Sequence, residues 1–330
     1  MHHGLYSVKI MKVLVVGGAG FLGGRIADYL CQLGHKVRIG SRQSINNLSE
    51  TPNSEVVVLN WDEPSTLSRA CQGIDTVIHA AGMNAQDCAA DPAGAFLSNT
   101  VNTARLVSES MKASVQRFIY LSTAHVYASP LEGVINENTC PRNLHPYATS
   151  HLAGEYAVLR EHELGTIDGV VFRLTNAFGA PIDKEVNCWT LLVNDLCRQA
   201  VERKKIILRT DGLQFRDFIP ISDVCQTLAL FAEQVSTKKI GGIYNLGSGF
   251  SQSVLDMATL VQARCSEVLD FAPSLMAAQS SGQRPSALTY QIEKLSKLGL
   301  NVEQENAAVE IDRLLLFCKN QFTEGSNRHG

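Results

Sequence analysis

The stretch KVLVVGGAGFLGGRIADYL, residues 12–30, decides the fold. KVLVV is an apolar, β-branched run that predicts a buried strand, and FLGGRIADYL repeats its apolar residues at helical spacing. Between and within them Gly17, Gly20 and Gly23 stand at GxxGxxG spacing. A glycine triplet alone is a weak sign. Directly after a strand and opening a helix, it marks a dinucleotide-binding loop. Gly17 permits the tight turn, Gly20 lets backbone amides approach a pyrophosphate, and Gly23 lets the helix pack on the sheet. The free N–H groups and dipole of that helix end attract the anion. Phe21 and Leu22, in the same turn, join the cofactor-binding set.

Outward from this loop the same rhythm repeats. KVRIGS (36–41), EVVVLN (55–60), DTVIHAAG (75–82), RFIYLST (117–123) and GVVFRLTN (169–176) read as further buried strands separated by helical patterns. Strands buried on both faces and alternating with helices predict an α/β fold, a Rossmann-type doubly wound parallel sheet with right-handed crossovers. After about residue 180 the rhythm loosens. Helices are expected near 187–204, 253–265, 291–298 and 305–319, with KKIILRTDG, FRDFIPISDV and IYNLG between them. The expected organisation is a nucleotide-binding domain over 11–180 and a smaller C-terminal α/β substrate-binding lobe over 181–320. Strands near 215–221 and 243–247 are placed to return to the first domain, and 1–10 and 323–330 read as frayed or vector-derived tails.

The bulk composition narrows the classes. The chain has 330 residues, 45% hydrophobic and 18% charged, with a formal net charge of −3, which fits an ordinary globular protein. Without a Lys/Arg-rich run, neither nucleic acid nor an anionic membrane is an expected partner. No apolar run approaches the ~20 residues of a membrane helix. Nine dispersed cysteines without a CxxC pair read as reduced, buried thiols of a cytoplasmic protein, with no metal expected.

The end of the second strand addresses the choice of dinucleotide. An acid there would hold a ribose 2′-hydroxyl and repel a 2′-phosphate. The chain instead reads Ile39-Gly40-Ser41-Arg42. Ser41 can donate to a phosphate and Arg42 can pair with it, which favours NADP(H), with NAD(H) still open. Asp62, after the third strand, is placed to accept from an adenine amino group or else to cap the helix beginning near Glu63.

With these residues assembled, the chain resembles the extended short-chain dehydrogenase/reductase family of nucleotide-sugar epimerases, dehydratases and reductases, from about residue 12 to about 300. DTVIHAAG resembles its fourth-strand signature, with Ala80, Ala81 and Gly82 lining the cofactor. Asn99-Thr-Val-Asn102-Thr103 resembles its Asn-x-x-Gly-Thr stretch, with Asn102 in place of the glycine and Asn99 at the cofactor. LSTAHVYA resembles the Ser/Thr motif and puts Thr123 at the catalytic hydroxyl position beside Ser122. RLTNAFGAP implies Asn176 at the substrate, FRDFIPISDV implies Arg216 at a diphosphate, and Gln283-Arg284-Pro285 implies Arg284 as a second phosphate arginine. YNLGSG and Ser253 match the family's late strand and helix. HPYATSHLAGEY (145–156) implies Tyr147 as the acid/base, with His151 where the family has its lysine.

The resemblance implies hydride transfer between nicotinamide and a sugar carbon, with Tyr147 exchanging the hydroxyl proton and Thr123 bonding the same oxygen. The family's lysine lowers the tyrosine's pKa and holds the nicotinamide ribose. A histidine there, at its usual pKa of ~6.5, is mostly neutral at pH 7. Protonated, it would do both jobs and give activity that improves below neutrality; neutral, it would bind a ribose hydroxyl. Ala124-His125 stands where 4,6-dehydratases carry Asp-Glu, so dehydration is not expected, and His125 is either a second acid/base at the substrate or structural. The leading expectation is an NAD(P)-dependent reductase or epimerase of a nucleotide-diphosphate sugar; the alternative is a non-catalytic dinucleotide sensor or scaffold. A homodimer is expected through helices near 93–113 and 147–163, presenting Leu97, Val101, Leu106, Ala148 and Leu152, although such residues can equally face the sheet.

Overall fold

A computed structural model describes residues 10–43, 52–234, 239–279, 286–300 and 302–323. The expected tails lie outside these residues, apart from Ile10 and Thr323. In chain order the elements begin β1 (Lys12–Val16), α1 (Phe21–Gln32), β2 (Lys36–Ser41), β3 (Ser54–Val58), α2 (Pro64–Cys71) and β4 (Thr76–His79). Two short helices, α3 (Ala85–Ala90) and α4 (Pro92–Phe96), lead through a π-helical turn at Leu97–Val101 into α5 (Asn102–Lys112) and β5 (Arg117–Thr123). Then come β6 (Gly133–Ile135), α6 (Pro146–Glu163), β7 (Asp168–Leu174), β8 (Asn176–Phe178), α7 (Leu192–Arg203), β9 (Lys205–Ile207), β10 (Phe215–Pro220) and α8 (Ile221–Glu233). The chain closes with β11 (Gly242–Leu246), β12 (Ser251–Ser253), α9 (Val254–Leu269), β13 (Ser274–Met276), β14 (Leu288–Tyr290), α10 (Glu293–Ser296) and α11 (Glu305–Phe322).

The main sheet has seven strands in the order β11-β7-β5-β4-β1-β2-β3. The pairs β1–β2, β2–β3, β1–β4 and β4–β5 are parallel, as the uninterrupted apolar runs predict. Every residue of β4, β5 and β7 is buried. EVVVLN departs from the expectation of a buried strand. As β3 it forms the sheet's edge and is only half-buried, with Val58 52% exposed. IYNLG does join this sheet as β11, whereas FRDFI, as β10, pairs with β8 and β12 in a separate three-stranded sheet.

The chain divides into two compact units that interleave along the sequence rather than meeting at one boundary near residue 180. The first comprises Met1–Ser122, His145–Val171 and Cys225–Gly242. Arg117, 1% exposed at the start of β5, anchors its interior by donating from Nε and Nη2 to Asp168 of β7 at 2.9 and 2.7 Å. Both bonds go to Asp168 Oδ2, and the pair ties β5 to β7.

The second unit comprises Thr123–Leu144, Phe172–Val224 and Ile243–Gly330. The helix expected over 187–204 starts later, at Leu192, because residues 188–191 form a turn closed by Leu191 N–H donating to the Cys188 carbonyl at 3.1 Å. Its core joins α7, α9 and α11 through Leu196, Met257, Val261, Ile311 and Leu314. α9 opens on a reciprocal cap in which Ser253 Oγ accepts from Asp256 N–H and the Asp256 carboxylate accepts from Ser253 N–H. Eight of the nine cysteines are buried, as expected of reduced structural thiols; Cys140 is the exposed exception.

Candidate active site

In the first unit the site grows from the two strands flanking the point where the sheet's winding reverses. β1 runs into the glycine loop, and β4, its parallel neighbour, runs into Ala80-Ala81-Gly82. Gly17 has φ +89°, and a Cβ on it would lie 2.6 Å from Ala81 N, so only glycine lets the two strand ends meet. A Cβ on Gly23 would lie 2.2 Å from the Gly17 carbonyl oxygen. The close approach made by Gly23 is therefore between helix and loop, rather than helix and sheet as expected. Gly20 is the N-cap of α1; no side chain caps this end, and no acid stands in the first turn. The helix dipole and its free N–H groups are left for an anion.

Around this loop the expected contacts sort themselves by exposure. Phe21 is buried and Leu22 partly so. Ser41 is buried, and its Oγ accepts from Gln43 N–H at 3.3 Å, so it sits deeper than a phosphate clamp requires. Arg42 is exposed beside it. Asp62 is exposed too, and it is not a helix cap: the N-cap of α2 is Glu63, which makes no side-chain cap bond.

Asn99 lies inside the π-helical turn, a local widening of the helix often found at functional sites. It is 1% exposed. Its Oδ1 accepts from Met83 N–H at 2.8 Å, which fixes the amide's orientation because a backbone N–H can only donate. Its Nδ2 faces Ser150 Oγ at 3.0 Å, Cys88 Sγ at 3.7 Å and His151 Nδ1 at 3.2 Å. Its side chain is bonded inward, and its Oδ1 lies beside Gly82.

α6 starts at Pro146 with His145 as its cap, the imidazole Nδ1 accepting from Tyr147 N–H at 3.1 Å. Tyr147 is partly exposed, and its ring centroid lies 4.4 Å from that of His151, one turn on. His151 is 6% exposed. Its Nδ1 lies 2.8 Å from the Tyr147 carbonyl oxygen, which can only accept, so Nδ1 carries the hydrogen. Burial pushes the His151 pKa down to about 4, against a smaller upward pull from that carbonyl. That direction favours the neutral ring over the imidazolium at position 151.

Behind His151 stack Tyr120, with centroids 6.2 Å apart, and then His79, 5.5 Å further. His79 Nε2 meets Thr103 Oγ1 at 3.0 Å, and its pKa falls to about 3 through burial and then the nearby His151. Four residues past His151, the fully buried Glu155 accepts from Ser122 Oγ at 2.5 Å. Ser122, expected at the substrate, is turned into the interior. Ser150 and Glu155 were missed by reading the sequence. Their signal is polar residues flanking and following His151 on the buried stripe of an amphipathic helix.

These histidines make a testable contribution to stability. Unfolded, each titrates near 6.5; folded, each stays neutral to about 4 or below. Their contribution is complete above pH 6.5 and is lost as pH falls from 6.5 towards 4, by on the order of 3 kcal/mol for His151. In the second unit Asp217 and Asp223, both raised to about 6 by burial, act oppositely and become less costly as they protonate. The measurement is therefore a difference: urea midpoints of wild type and His151→Gln at pH 7.5, 6 and 4.5. The expected outcome is that wild type loses ground to the variant as pH falls; parallel midpoints would refute it.

Thr123, His125, Asn176 and Arg216 belong to the second unit. Thr123 ends β5, and its Oγ1 accepts from His125 N–H at 3.1 Å. His125 is partly exposed, and its carbonyl accepts from Asn143 Nδ2 at 2.8 Å. Asn176 donates from Nδ2 to the Asp217 backbone carbonyl at 2.8 Å, so part of its amide is committed within the unit. Asp217, which sequence reasoning passed over, is fully buried and accepts from Thr175 Oγ1 and Ser248 N–H, both at 2.8 Å. Its neighbour Arg216 is partly buried, which lowers its pKa, and its side chain makes no hydrogen bond or ion pair among the described residues. Arg284 lies outside the described residues. No cluster of potential metal ligands occurs among the described residues, and none of their helices is long and apolar enough to cross a membrane.

A doubly wound sheet with a glycine loop at its switch point defines a Rossmann-type α/β protein, and a tyrosine and a histidine stand one turn apart on α6. Residues 13–247 match the model of the NAD dependent epimerase/dehydratase family, and the chain belongs to that family. It is 27% identical over 270 residues to dTDP-glucose 4,6-dehydratase of Actinoplanes sp., covering 77% of this chain and 82% of the relative. Among solved structures it resembles UDP-glucuronic acid 4-epimerase from Bacillus cereus in complex with UDP-glucuronic acid and NAD, with a TM-score of 0.77 at 22% identity, over 94% of this chain and 99% of the other. An epimerase from Methanothermobacter thermautotrophicus gives a TM-score of 0.79 at 22% identity over 96% of each chain. At these identities the structural likeness establishes the fold, and it lends no support to a preference for NADP(H).

Proposed function

We propose that this protein is an NAD(P)-dependent oxidoreductase, a reductase or epimerase acting at a sugar carbon of a nucleotide-diphosphate sugar. The observation that carries this reading is Tyr147, partly exposed at the start of α6, packed on His151 in a unit whose glycine loop fits a dinucleotide. Gly17, Gly20 and Gly23 would hold the pyrophosphate at the uncapped start of α1; Ala80, Ala81 and Gly82 would line the nicotinamide side. A nicotinamide held there supplies a hydride donor or acceptor. The chain's own part is the proton, which Tyr147 would exchange with the sugar oxygen. Ala124-His125 in place of an Asp-Glu pair speaks against dehydration, although the dTDP-glucose relative is a dehydratase. The homodimer reading rests on Leu97 and Val101, 50% and 41% exposed; Leu106 and Ala148, expected alongside them, are buried, and Leu152 is half-buried.

Arg216 is the handle on the substrate class. A partly buried guanidinium without a carboxylate suits a diphosphate, each charge-assisted bond contributing about 1.5–3 kcal/mol. Arg216→Ala is expected to weaken UDP-glucose or dTDP-glucose binding by about 10–150-fold, while NAD+ and NADP+ titrations stay within about twofold. Unchanged nucleotide-sugar binding would remove the substrate assignment. One observation favours a second reading: the neutral His151 suits a dinucleotide sensor or scaffold as well as an enzyme. A sensor has no need of the nucleotide-sugar site, so the same titration separates the two.

A further inference from the structure

The environment of His151 leaves one arrangement of its two ring nitrogens. Nδ1 faces the Tyr147 carbonyl at 2.8 Å and donates to it. The second neighbour of Nδ1, Asn99 Nδ2 at 3.2 Å, is itself a donor and cannot bond a protonated Nδ1. Asn99 has other acceptors for its two hydrogens, Ser150 Oγ and Cys88 Sγ, and its Oδ1 is pinned by Met83 N–H. Ser150 in turn donates to the same Tyr147 carbonyl at 3.2 Å, so every member of the group is satisfied with Nδ1 protonated. Nε2, the atom left with a lone pair, lies over Gly82: a Cβ built there would come within 3.5 Å of it, and Gly82 is exposed.

We infer that His151 serves as a fixed hydrogen-bond acceptor, its Nε2 lone pair turned towards Gly82, and that Asn99 and Ser150 are the positioning residues that hold it so. The inference rests on the reading that a dinucleotide lies along the glycine loop and Gly82. Lysine in this place can only donate, and it brings a positive charge. His151 takes a proton's hydrogen bond instead, which fits a ribose hydroxyl acting as donor. Position 151 therefore contributes no positive charge to Tyr147, its neighbour on α6; Tyr120 faces the pair from β5 and His79 stacks behind it. A chemistry that begins by withdrawing a proton from a sugar hydroxyl gains nothing from His151. A chemistry in which Tyr147 donates a proton to a carbonyl oxygen needs nothing from it.

The test is long-range proton–nitrogen correlation on protein labelled with 15N-histidine, the His151 signals being assigned by their loss in His151→Gln. The expected pattern is a neutral ring with hydrogen on Nδ1 from pH 5.5 to 8.5, with the Nε2 signal moving when NAD+ or NADP+ is added. Asn99→Ala and the milder Ser150→Ala leave the Tyr147 carbonyl in place, so hydrogen is expected to stay on Nδ1 while the loosened ring weakens dinucleotide binding about tenfold. Hydrogen on Nε2, or an imidazolium at pH 7, in a protein that still binds the dinucleotide would overturn this inference alone. No binding of either dinucleotide, with hydrogen still on Nδ1, would overturn the proposed function and the acceptor role with it.

Discussion

Gly17→Ala is expected to destabilise the protein by on the order of 3–5 kcal/mol and to abolish dinucleotide binding. Two effects add. At φ +89° any side chain is strained, and the new methyl would lie 2.6 Å from Ala81 N and 2.8 Å from Ala81 Cα, both backbone atoms that cannot swing away. Relief would require the ends of β1 and β4 to part, and these are the ends proposed to hold the pyrophosphate. Gly34 supplies the control. It has nearly the same conformation, φ +86°, with nothing within 4 Å of its missing Cβ. Gly34→Ala should therefore show the conformational penalty alone, about 1–2 kcal/mol, with dinucleotide binding retained. Urea unfolding and NAD+ titration of both variants check this; equal behaviour of the two would remove the strand-end contact as the cause.

Tyr147→Phe is expected to lower turnover by about a thousandfold or more while leaving dinucleotide affinity within about twofold. The substitution removes one hydroxyl. The ring that packs on His151 at 4.4 Å stays, and so does the backbone carbonyl that fixes the His151 tautomer. Loss confined to kcat, with binding of both ligands intact, identifies the phenol as the proton-transfer group. A variant as fast as wild type would assign the proton to another residue, with His125 the first to examine.

The sheet was legible because its strands are long apolar runs with glycine punctuation, and Lys36–Ser41 and Arg117–Thr123 run where the sequence predicts. EVVVLN was misread because composition does not distinguish a central strand from an edge strand: Val58 has the side chain of a buried residue and the neighbours of an exposed one. Interleaving of the two units was only partly visible, since IYNLG joins the main sheet through pairings distant in sequence.

In the site, positions were readable and states were not. His151 stands where a lysine was expected, and its number in the chain says nothing of its charge. Burial and a carbonyl 2.8 Å from Nδ1 decide that. Ser122 and Asn99 carry polar groups that a sequence assigns equally well to ligand or interior; the partners Glu155 and Met83 N–H turn them inward. The side chain of Arg216, for which a structural ion pair was the plain alternative, holds no carboxylate among the described residues.

The most direct measurement is NAD(P)H oxidation at 340 nm with nucleotide-linked 4-keto sugars, wild type beside Tyr147→Phe, from pH 6 to 8.5. His151, at about 4, does not titrate in this window. The account predicts turnover in wild type at a rate that stays level across the range, and none above background in the variant. A rate that falls as pH rises through 6–7 would mean a working imidazolium and contradict the neutral His151. No turnover in a protein that binds both ligands would contradict the enzyme itself.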